Sequence, residues 1–390
     1  MNPHLARLCA VAQRPSRRVL GLMSGTSLDG LDVALCRCTS HGAGLQVQLE
    51  HFVTVPYPAD FQQRLRAISQ PTVSLSDLTV LHAEVARRHA RTVLECLAGW
   101  RVQPAEVDLL ASHGQTVWHA PRHQHGRASF PHHATLQIGD GDHLAVLTNL
   151  LTVSDFRQQH VAHGFEGAPL AGYADQLLFG HPTESRLLLN LGGIANFTYL
   201  PAGGPAGPAF TTDTGPGNTL LDAVTRQHCP GQAYDADGAL AAQGTPHPAL
   251  LRELLAHPFF TAPLPKTTGP ELFGPEYLQA AQVLTATENL PPTDLLATLV
   301  ELSAAGVALA AAQCLPAASA GPAAVYVSGG GSHNSTLLAA LRRRLPNARF
   351  AAIDALGIPA DAKEAVLFAV LANETVAGRP ALSLGKISLP

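Results

Sequence analysis

Three turns rich in glycine and hydroxyl residues are the segments of this chain best suited to chemistry. They read SGTSLDG at residues 24–30, GG at residues 192–193 and GGG at residues 329–331, and each follows a short apolar run. Turns of this composition expose backbone N–H groups with no side chain in front of them, and a phosphate group binds to such N–H groups. Three of them, far apart in one sequence, predict a nucleotide held between two halves of the protein.

The first turn combines glycine with hydroxyls and a carboxylate. The hydroxyls of Ser24, Thr26 and Ser27 and the nearby N–H groups can hold a terminal phosphate, and Asp29 can hold the water shell of a magnesium ion. The alternative is an ordinary hairpin turn, which needs only the Asp-Gly dipeptide. No Gly-Lys-Ser/Thr sequence follows, so this is not a Walker loop.

Asp213 is the candidate proton acceptor. It opens the sequence DTGPGN at residues 213–218, where proline and two glycines predict a rigid loop ahead of a helix. A carboxylate held there can take a proton from an attacking water or hydroxyl while phosphate is transferred. Alternatively, Asp213 only accepts hydrogen bonds from N–H groups of its own turn.

Other polar residues have two interpretations each. Arg157 can anchor a substrate carboxylate through two hydrogen bonds, or it can pair internally with Asp155. Glu364 lies at helical spacing from Phe368 and faces either solvent, which base rates favour, or a cleft. The histidines between positions 123 and 133 match no ordered ligand set, so we predict no metal there.

Composition limits the class of protein. A chain of 390 residues fits two domains, and a net charge of −4, from 25 basic and 29 acidic residues, gives no electrostatic case for a nucleic-acid partner. No basic amphipathic stretch indicates membrane binding. Six scattered cysteines without Cys-x-x-Cys spacing favour reduced thiols and a cytoplasmic protein. The apolar segment 295–315 is predicted to be a buried helix and not a membrane span.

The elements around the turns repeat. Apolar runs at 19–23 and 31–37 predict a hairpin around the first turn, and a strand, a glycine turn and a second strand recur over residues 187–200. This pattern indicates a weak internal duplication and two α/β halves. We predict an N-terminal domain over residues 1–184, completed by residues 375–390, and a C-terminal domain over residues 185–374. Helices are predicted at 78–97, 219–227, 295–315 and 335–344.

Taken together, these motifs resemble the anhydro-N-acetylmuramic acid kinases, which belong to the superfamily of actin, hexokinase and the heat-shock ATPases. The resemblance implies a two-domain actin-like/ribonuclease H-like α/β fold with an interdomain nucleotide cleft. The matching pieces occur in the family's order and cover most of residues 19 to 370. They lie at residues 21–32, 112–119, 136–140, 155–157, 167–170, 190–196, 213–218, 265–269 and 327–331.

The resemblance also implies a reaction. Kinases of this family use ATP and water to convert 1,6-anhydro-N-acetylmuramic acid into N-acetylmuramic acid 6-phosphate and ADP, in the recycling of peptidoglycan. Mg²⁺ is implied by phosphoryl transfer. The expected partners are therefore an amino sugar and ATP, with no nucleic acid and no membrane, and a homodimer is expected from the family.

Roles for individual residues follow from the resemblance. Asp213 matches the family's catalytic base, which deprotonates the water that attacks the anomeric carbon, and Glu364 matches a second carboxylate near the sugar. Residues His113, Gln115, Arg157 and Glu166 are expected to bind the substrate. The ATP-binding residues are expected to be Gly25, Thr26, Ser27, Leu28, Asp29, Gly30, Leu31 and Asp32 in the first turn, Gly192 and Gly193 in the second, and Gly329, Gly330 and Gly331 beside the nucleoside.

The chain departs from the family pattern around the sugar. His160 stands where an acidic residue is usual, Phe165 and Glu166 replace Gly-Gln, and Pro270 replaces an arginine. One hypothesis is a compensated exchange in which His160 and Glu166 keep one acid and one polar partner in a single pocket. The alternatives for the whole protein are a kinase for another amino sugar and a nucleotide-dependent binding protein with a drifted sugar pocket.

Overall fold

The computed structural model describes residues 2–168, 170–203, 209–269, 271–315, 323–378 and 384–390. The chain divides into two compact units, Met1–Leu178 with Gly357–Pro390 (unit 1) and Phe179–Leu356 (unit 2). The strands are β1 Ser16–Ser24, β2 Gly30–Thr39, β3 Gln46–Pro56, β4 Leu109–Ala120, β5 Ala134–Ile138, β6 Thr152–Ser154, β7 Ser185–Leu191, β8 Ile194–Leu200, β9 Phe210–Pro216, β10 Ala323–Ser328, β11 Ala348–Ala352 and β12 Lys386–Ser388.

Helices cover these sheets, and the helices predicted at 78–97, 219–227, 295–315 and 335–344 are confirmed with somewhat different ends. The α-helices are α1 Pro3–Gln13, α2 Ala59–Ile68, α3 Leu75–Gly99, α4 Arg122–His125, α5 Gly141–Thr148, α6 Phe156–Ala162, α7 Ala171–Phe179, α8 Thr219–His228, α9 Pro248–Leu255, α10 Pro275–Thr285, α11 Pro292–Ala312, α12 Ser335–Arg344 and α13 Lys363–Ala377.

The two units have sheets of the same plan. In unit 1 the order is β12-β6-β4-β1-β2-β3, with β5 paired to the end of β4, and in unit 2 it is β11-β10-β7-β8-β9. In each unit three sequential strands form an antiparallel meander (β1–β3 and β7–β9), and the first of them is also parallel to a later strand (β4 or β10). The predicted hairpin, the internal duplication and the actin-like/ribonuclease H-like α/β fold are confirmed.

Helix α11 is the centre of the core of unit 2. Leu296, Leu302 and Val307 have no exposed surface, and they pack with the apolar side chains of β7, β8 and α12. By length and composition α11 is apolar enough to cross a membrane, but 78% of its most apolar window is buried inside the fold. The predicted buried helix is therefore confirmed.

Helix α13 packs on the sheet of unit 1, and the reason is a close approach at one glycine. A Cβ atom at Gly21 of β1 would lie 2.0 Å from the carbonyl oxygen of Ala365, so only glycine allows the helix to sit this close to the strand. The chain accordingly returns to unit 1 at Gly357, whereas the sequence placed the return at residue 375, and it leaves unit 1 at Leu178, whereas the sequence placed the boundary at residue 184. Glu364 thus belongs to unit 1.

Candidate active site

The first glycine turn joins β1 to β2 and is fixed by short-range contacts. The Leu28 N–H donates to the Gly25 carbonyl at 3.3 Å, and the Ser27 hydroxyl donates to Asp29 Oδ1 at 2.7 Å. A Cβ atom at Gly30 would lie 2.6 Å from the Val55 carbonyl oxygen, so glycine is required where the turn enters β2. The predicted Asp-Gly hairpin turn is thus present. The hydrogen bond from the Ser27 hydroxyl to the Asp29 carboxylate also orders the residues that precede Gly30.

Gln115 lies directly behind this turn. It is 1% exposed, its Oε1 accepts a hydrogen bond from the Ser24 hydroxyl at 2.5 Å, and its Nε2 donates to the Gly25 carbonyl at 3.2 Å. Sequence reasoning expected Gln115 to bind substrate. In this structure its polar atoms are used to hold the turn.

His113 and Arg157 form a second buried contact in unit 1. His113 is 2% exposed, its Nε2 accepts from Arg157 Nε at 2.8 Å, and its Nδ1 lies 2.9 Å from the Gly114 carbonyl oxygen. Burial, followed by the charge of Arg157, lowers the pKa of His113 to about 3, so the ring is neutral. Arg157 also donates to the Gly167 carbonyl at 3.0 Å. The alternative pair of Arg157 with Asp155 is not formed, because Asp155 accepts from Lys386 Nζ at 2.5 Å.

Glu364 lies in the first turn of α13, and its side chain is exposed. The surrounding protein still removes part of its hydration, and this loss, with the charge of Asp32, raises its pKa, while Lys363 and Arg157 act in the opposite direction. Burial likewise raises the pKa of Asp32, whose Oδ1 accepts from the Thr54 hydroxyl at 2.6 Å. Two carboxylates and one guanidinium of unit 1 therefore share one electrostatic environment.

Glu166 and His160 have different partners. Glu166 Oε1 lies 3.3 Å from His123 Nδ1 and 4.0 Å from His133 Nδ1, whereas the His160 ring stacks on Phe165 with ring centroids 4.8 Å apart. Their contacts do not support the hypothesis of a compensated exchange between these two residues: Glu166 pairs with the histidine-rich segment instead. Pro270 lies outside the described residues.

Asp213 is held by main-chain groups in unit 2. Its N–H donates to the Lys266 carbonyl at 2.9 Å, and its Oδ2 accepts from the Thr268 N–H at 2.8 Å. Partial burial raises the pKa of Asp213, and the Thr268 N–H opposes the rise. The expected rigid loop is wrong in its form, since Asp213 lies inside β9, paired with Asn196 of β8. The rigidity comes from the sheet.

The second glycine turn is bonded to the segment that follows Asp213. The Asn218 N–H donates to the Gly192 carbonyl at 2.8 Å, and the Gly217 N–H donates to the Gly193 carbonyl, also at 2.8 Å. A Cβ atom at Gly217 would lie 2.3 Å from the Gly192 carbonyl oxygen. The strand that carries Asp213 and the second glycine turn are therefore parts of one rigid substructure.

The third glycine turn packs against the end of β7 and Asn218, next to the second glycine turn. Gly329 has a φ of +80°, and a Cβ there would lie 2.5 Å from Asn190 Oδ1. Asn218 Nδ2 donates to the Leu191 carbonyl at 2.9 Å. Beside these residues is a cavity of about 610 Å³ in unit 2, and its wall includes Asn218, Asp222, Tyr234, Asp235, Gly330 and Gly331.

Several residues at the site were not singled out from the sequence. Thr268 and Asn218 lie inside matched motifs, at 265–269 and 213–218, so the motifs were the available signal. Tyr57, which donates to the Ser24 hydroxyl, and His89, which contacts the Tyr57 hydroxyl from the interior, belong to no motif. Within the described ranges, no group of three or more His, Cys, Asp and Glu side chains could hold a metal ion.

Two sheets of one plan, glycine turns at corresponding hairpins and a carboxylate fixed in the second unit are the features expected of one class of protein, the ATP-dependent phosphotransferases. The comparisons agree. The family model for anhydro-N-acetylmuramic acid kinase matches residues 17–385.

Relatives bearing the same name extend over the whole chain. The anhydro-N-acetylmuramic acid kinase of Pseudoalteromonas atlantica is 46% identical, covering 100% of both chains. That of Pseudoalteromonas translucida is also 46% identical, covering 97% of this chain and 94% of its own, and that of Caldanaerobacter subterraneus is 36% identical, covering 95% and 94%. The chain belongs to the anhydro-N-acetylmuramic acid kinase family and is an ATP-dependent sugar kinase.

Proposed function

We propose that the chain phosphorylates 1,6-anhydro-N-acetylmuramic acid and opens its anhydro bridge in one reaction, with Asp213 as the base. Water attacks the anomeric carbon, the bond from that carbon to the 6-oxygen breaks, and the 6-oxygen takes the γ-phosphoryl group of ATP. The products are N-acetylmuramic acid 6-phosphate and ADP. The observation that carries the proposal is the anchored carboxylate of Asp213, on the strand that leads into the contacts of the second glycine turn.

Asp213 has the properties that a general base needs. Its Oδ2 is oriented by the Thr268 N–H, and the carboxylate is only partly buried. Its pKa is raised by that burial, which makes the carboxylate a better proton acceptor than an ordinary aspartate. In this role it takes the proton of the attacking water.

Glu364 and Arg157 are proposed to bind the sugar. Arg157 is oriented by His113 Nε2 and the Gly167 carbonyl, so its remaining N–H groups are directed by two fixed contacts. A substrate carboxylate is the expected ligand of such a guanidinium. Glu364, with its raised pKa, is proposed as the second carboxylate near the sugar, and Glu166 as a further contact on the loop beside Arg157.

The glycine turns are proposed to bind ATP, with the terminal phosphate at residues 25–32, a second phosphate contact at residues 192–193 and the nucleoside in the cavity beside residues 329–331. Mg²⁺ fits this arrangement only as a partner of ATP, because the described residues form no ligand cage, whereas Asp29 and Asp32 supply carboxylates close to the first turn. Bound with ATP, it would neutralise charge on the phosphates.

The cellular setting is part of the same proposal. An anhydro sugar released from peptidoglycan and ATP meet in the cytoplasm, so we place the enzyme there, in peptidoglycan recycling. A homodimer is proposed on the family resemblance alone.

The decisive measurement is ADP release from the purified protein with Mg²⁺-ATP, with and without 1,6-anhydro-N-acetylmuramic acid. We expect release that depends on this sugar, and a 6-phosphorylated reducing sugar as the product. Equal or faster turnover of a reducing amino sugar would instead identify a kinase for that sugar. ATP binding without sugar-dependent ADP release would identify a nucleotide-dependent binding protein.

A further inference from the structure

A chain of buried hydrogen bonds connects the interior of unit 1 to the first glycine turn. His89 Nε2 lies 2.7 Å from the Tyr57 hydroxyl, which donates to the Ser24 hydroxyl at 2.9 Å. Ser24 donates to Gln115 Oε1 at 2.5 Å, and Gln115 Nε2 donates to the Gly25 carbonyl at 3.2 Å. The four side chains are between 0% and 6% exposed. We call these four residues and the Gly25 carbonyl the buried chain.

The protons of the buried chain all run in one direction. Because the Tyr57 hydroxyl gives its proton to Ser24, its oxygen is left to accept from His89 Nε2–H. The other ring nitrogen of His89, Nδ1, has no hydrogen-bond partner in the parts of the chain that the structure describes, as expected for a neutral ring with its single proton on Nε2. Burial, with a smaller effect of Arg88, lowers the pKa of His89 to about 3, which also leaves the ring neutral.

The buried chain ties separate elements to the turn. His89 lies on α3, Tyr57 follows β3, Ser24 ends β1 and Gln115 lies on β4. The three links from His89 to Gln115 are buried, so removing one partner leaves another polar group buried without a bond, which costs more than losing a bond at the surface. The tyrosine ring is also fixed, edge-on to Phe61 at 5.1 Å. The position of the Gly25 peptide is therefore set by groups deep in unit 1.

We propose that Tyr57 and His89 are positioning residues for the terminal phosphate of ATP, acting through Ser24 and Gln115 on the turn at residues 25–29. This rests on the proposed phosphate-binding function of that turn. By fixing the Gly25 peptide, the buried chain keeps the turn's N–H groups in the orientation that the terminal phosphate requires. Neither residue touches the nucleotide.

The test is the affinity for ATP compared with AMP, measured by titration calorimetry with the full chain. AMP lacks the terminal phosphates, so it reports on nucleoside binding without the turn. In Tyr57→Phe, which keeps the ring and removes the hydroxyl, we expect ATP affinity to fall about 10-fold, the value of one buried hydrogen bond, with AMP affinity unchanged. The KM for the sugar should not change.

A pair of substitutions at His89 tests the role independently of Tyr57. His89→Gln keeps an N–H group near the position of Nε2, and His89→Leu does not, so glutamine should retain ATP affinity within about threefold while leucine should reproduce the loss seen in Tyr57→Phe. Tyr277→Phe is the matched control, because that tyrosine hydroxyl also donates one hydrogen bond, to the Leu254 carbonyl, but in unit 2. It should bind both nucleotides normally.

The outcomes separate this inference from the proposed function. If the unmodified protein prefers ATP to AMP and the Tyr57 and His89 variants keep that preference, the positioning role is wrong and the turn's function stands. Equal losses for ATP and AMP, or a His89→Gln variant as weak as His89→Leu, would also overturn it, since general loosening of unit 1 predicts both. If the unmodified protein binds ATP and AMP equally, the proposed function of the turn fails, and the inference fails with it.

Discussion

At the scale of single residues, a carboxylate acts as a base only if it is both oriented and basic. The Thr268 N–H orients the carboxylate of Asp213, and partial burial raises its pKa. Asp213→Asn keeps an oxygen for the Thr268 N–H and removes the basicity. We expect turnover to fall about 10²- to 10⁴-fold, the usual contribution of general base catalysis, while ATP affinity is retained. Steady-state kinetics and a calorimetric titration with ATP measure the two quantities.

A matched control is available in the same unit. Asp294 Oδ1 accepts from the Thr245 N–H at 2.7 Å, the same kind of bond, so Asp294→Asn removes a similar charge away from Asp213 and should leave turnover nearly normal. Near-normal turnover in Asp213→Asn itself would mean that another group takes the proton.

The raised pKa of Asp213 predicts the pH dependence of the reaction. The base works when ionised, so kcat/KM for the sugar should be full at high pH and fall as pH drops through a value above the ordinary 3.8 of aspartate. This acidic limb should persist in Glu364→Gln, whose substituted carboxylate also has a raised pKa, and vanish from the residual activity of Asp213→Asn. A limb lost in Glu364→Gln instead would assign the titration to Glu364.

The motifs predicted which residue types belong to the site better than they predicted what each side chain contacts. His113 and Gln115 lie two positions apart on β4, but the register of β4 shifts between them, where Gly114 has a φ of +74°, so the regular alternation of faces is broken there and the sequence alone does not show it. The resemblance implies that both meet substrate; in the structure both are nearly fully buried, His113 bonded to Arg157 and Gln115 to the first turn. Tyr57 and His89 give no signal at all, because a lone tyrosine or histidine among apolar residues is usually just a core residue.

At the scale of elements, alternating apolar runs predicted both hairpins, but the strand that carries Asp213 was interpreted as a loop. The reason is the Thr-Gly-Pro sequence at 214–216, which normally interrupts strands. Here β9 is the edge of its sheet, Pro216 is its last residue and Gly215 has a φ of +122°. An edge strand tolerates both residues, and whether a strand is an edge depends on the sheet order, which the sequence pattern does not give.

The third glycine turn, at the end of β10, allows a test of whether its close contact with Asn190 requires glycine at position 329. Gly329→Ala places an alanine at a positive φ, and its Cβ also clashes with Asn190 and Leu191. Gly231→Ala places an alanine at a φ of +85° with nothing within 4 Å of its Cβ, so it has the backbone strain without the clash. We expect Gly231→Ala to cost about 1–2 kcal/mol in the free energy of unfolding, and Gly329→Ala to cost clearly more. Urea unfolding followed by circular dichroism measures both.

The ATP affinity of the Gly329→Ala and Gly231→Ala variants distinguishes an effect on the nucleotide site from an effect on stability alone. Gly329→Ala should also weaken ATP binding, since residues 330 and 331 line the cavity proposed for the nucleoside, while Gly231→Ala should not. Equal effects of the two substitutions on stability and on ATP binding would show that the contact with Asn190 is unimportant.

At the scale of the whole molecule, composition and length predicted two α/β units, but not where the chain returns to the first. Helix α13 is buried along nearly its whole length, so its sequence does not show which sheet it covers. The residue that determines this packing is Gly21, some 340 positions earlier, because the absence of a side chain there lets the backbone of Ala365 lie against β1. A fit between two distant positions has no local pattern, and the boundary was therefore placed at the wrong side of α13.

Unit 1 carries two neutral buried histidines, and these make a prediction for the stability of the molecule in acid. The pKa of His89 and of His113 is about 3 in the fold, against an ordinary value of 6.5, chiefly because both rings are buried. Between pH 6.5 and 3 the unfolded chain therefore binds protons that the folded chain does not. The free energy of unfolding falls as the pH drops through this window, by about 1.4 kcal/mol per pH unit for each ring.

A comparison of variants isolates this effect from the carboxylates, which titrate in the same range. His89→Gln removes one of the two rings, and His41→Gln removes an exposed histidine of the same unit. From pH 7 to pH 5, the loss of unfolding free energy in urea should be about 2 kcal/mol smaller in His89→Gln than in His41→Gln, the value of one such ring over 1.5 pH units. Equal losses would require His89 to be protonated in the fold, and a protonated ring could not leave Nδ1 without an acceptor in the interior. The same titration thus tests the proton arrangement from which the positioning role of the buried chain was inferred.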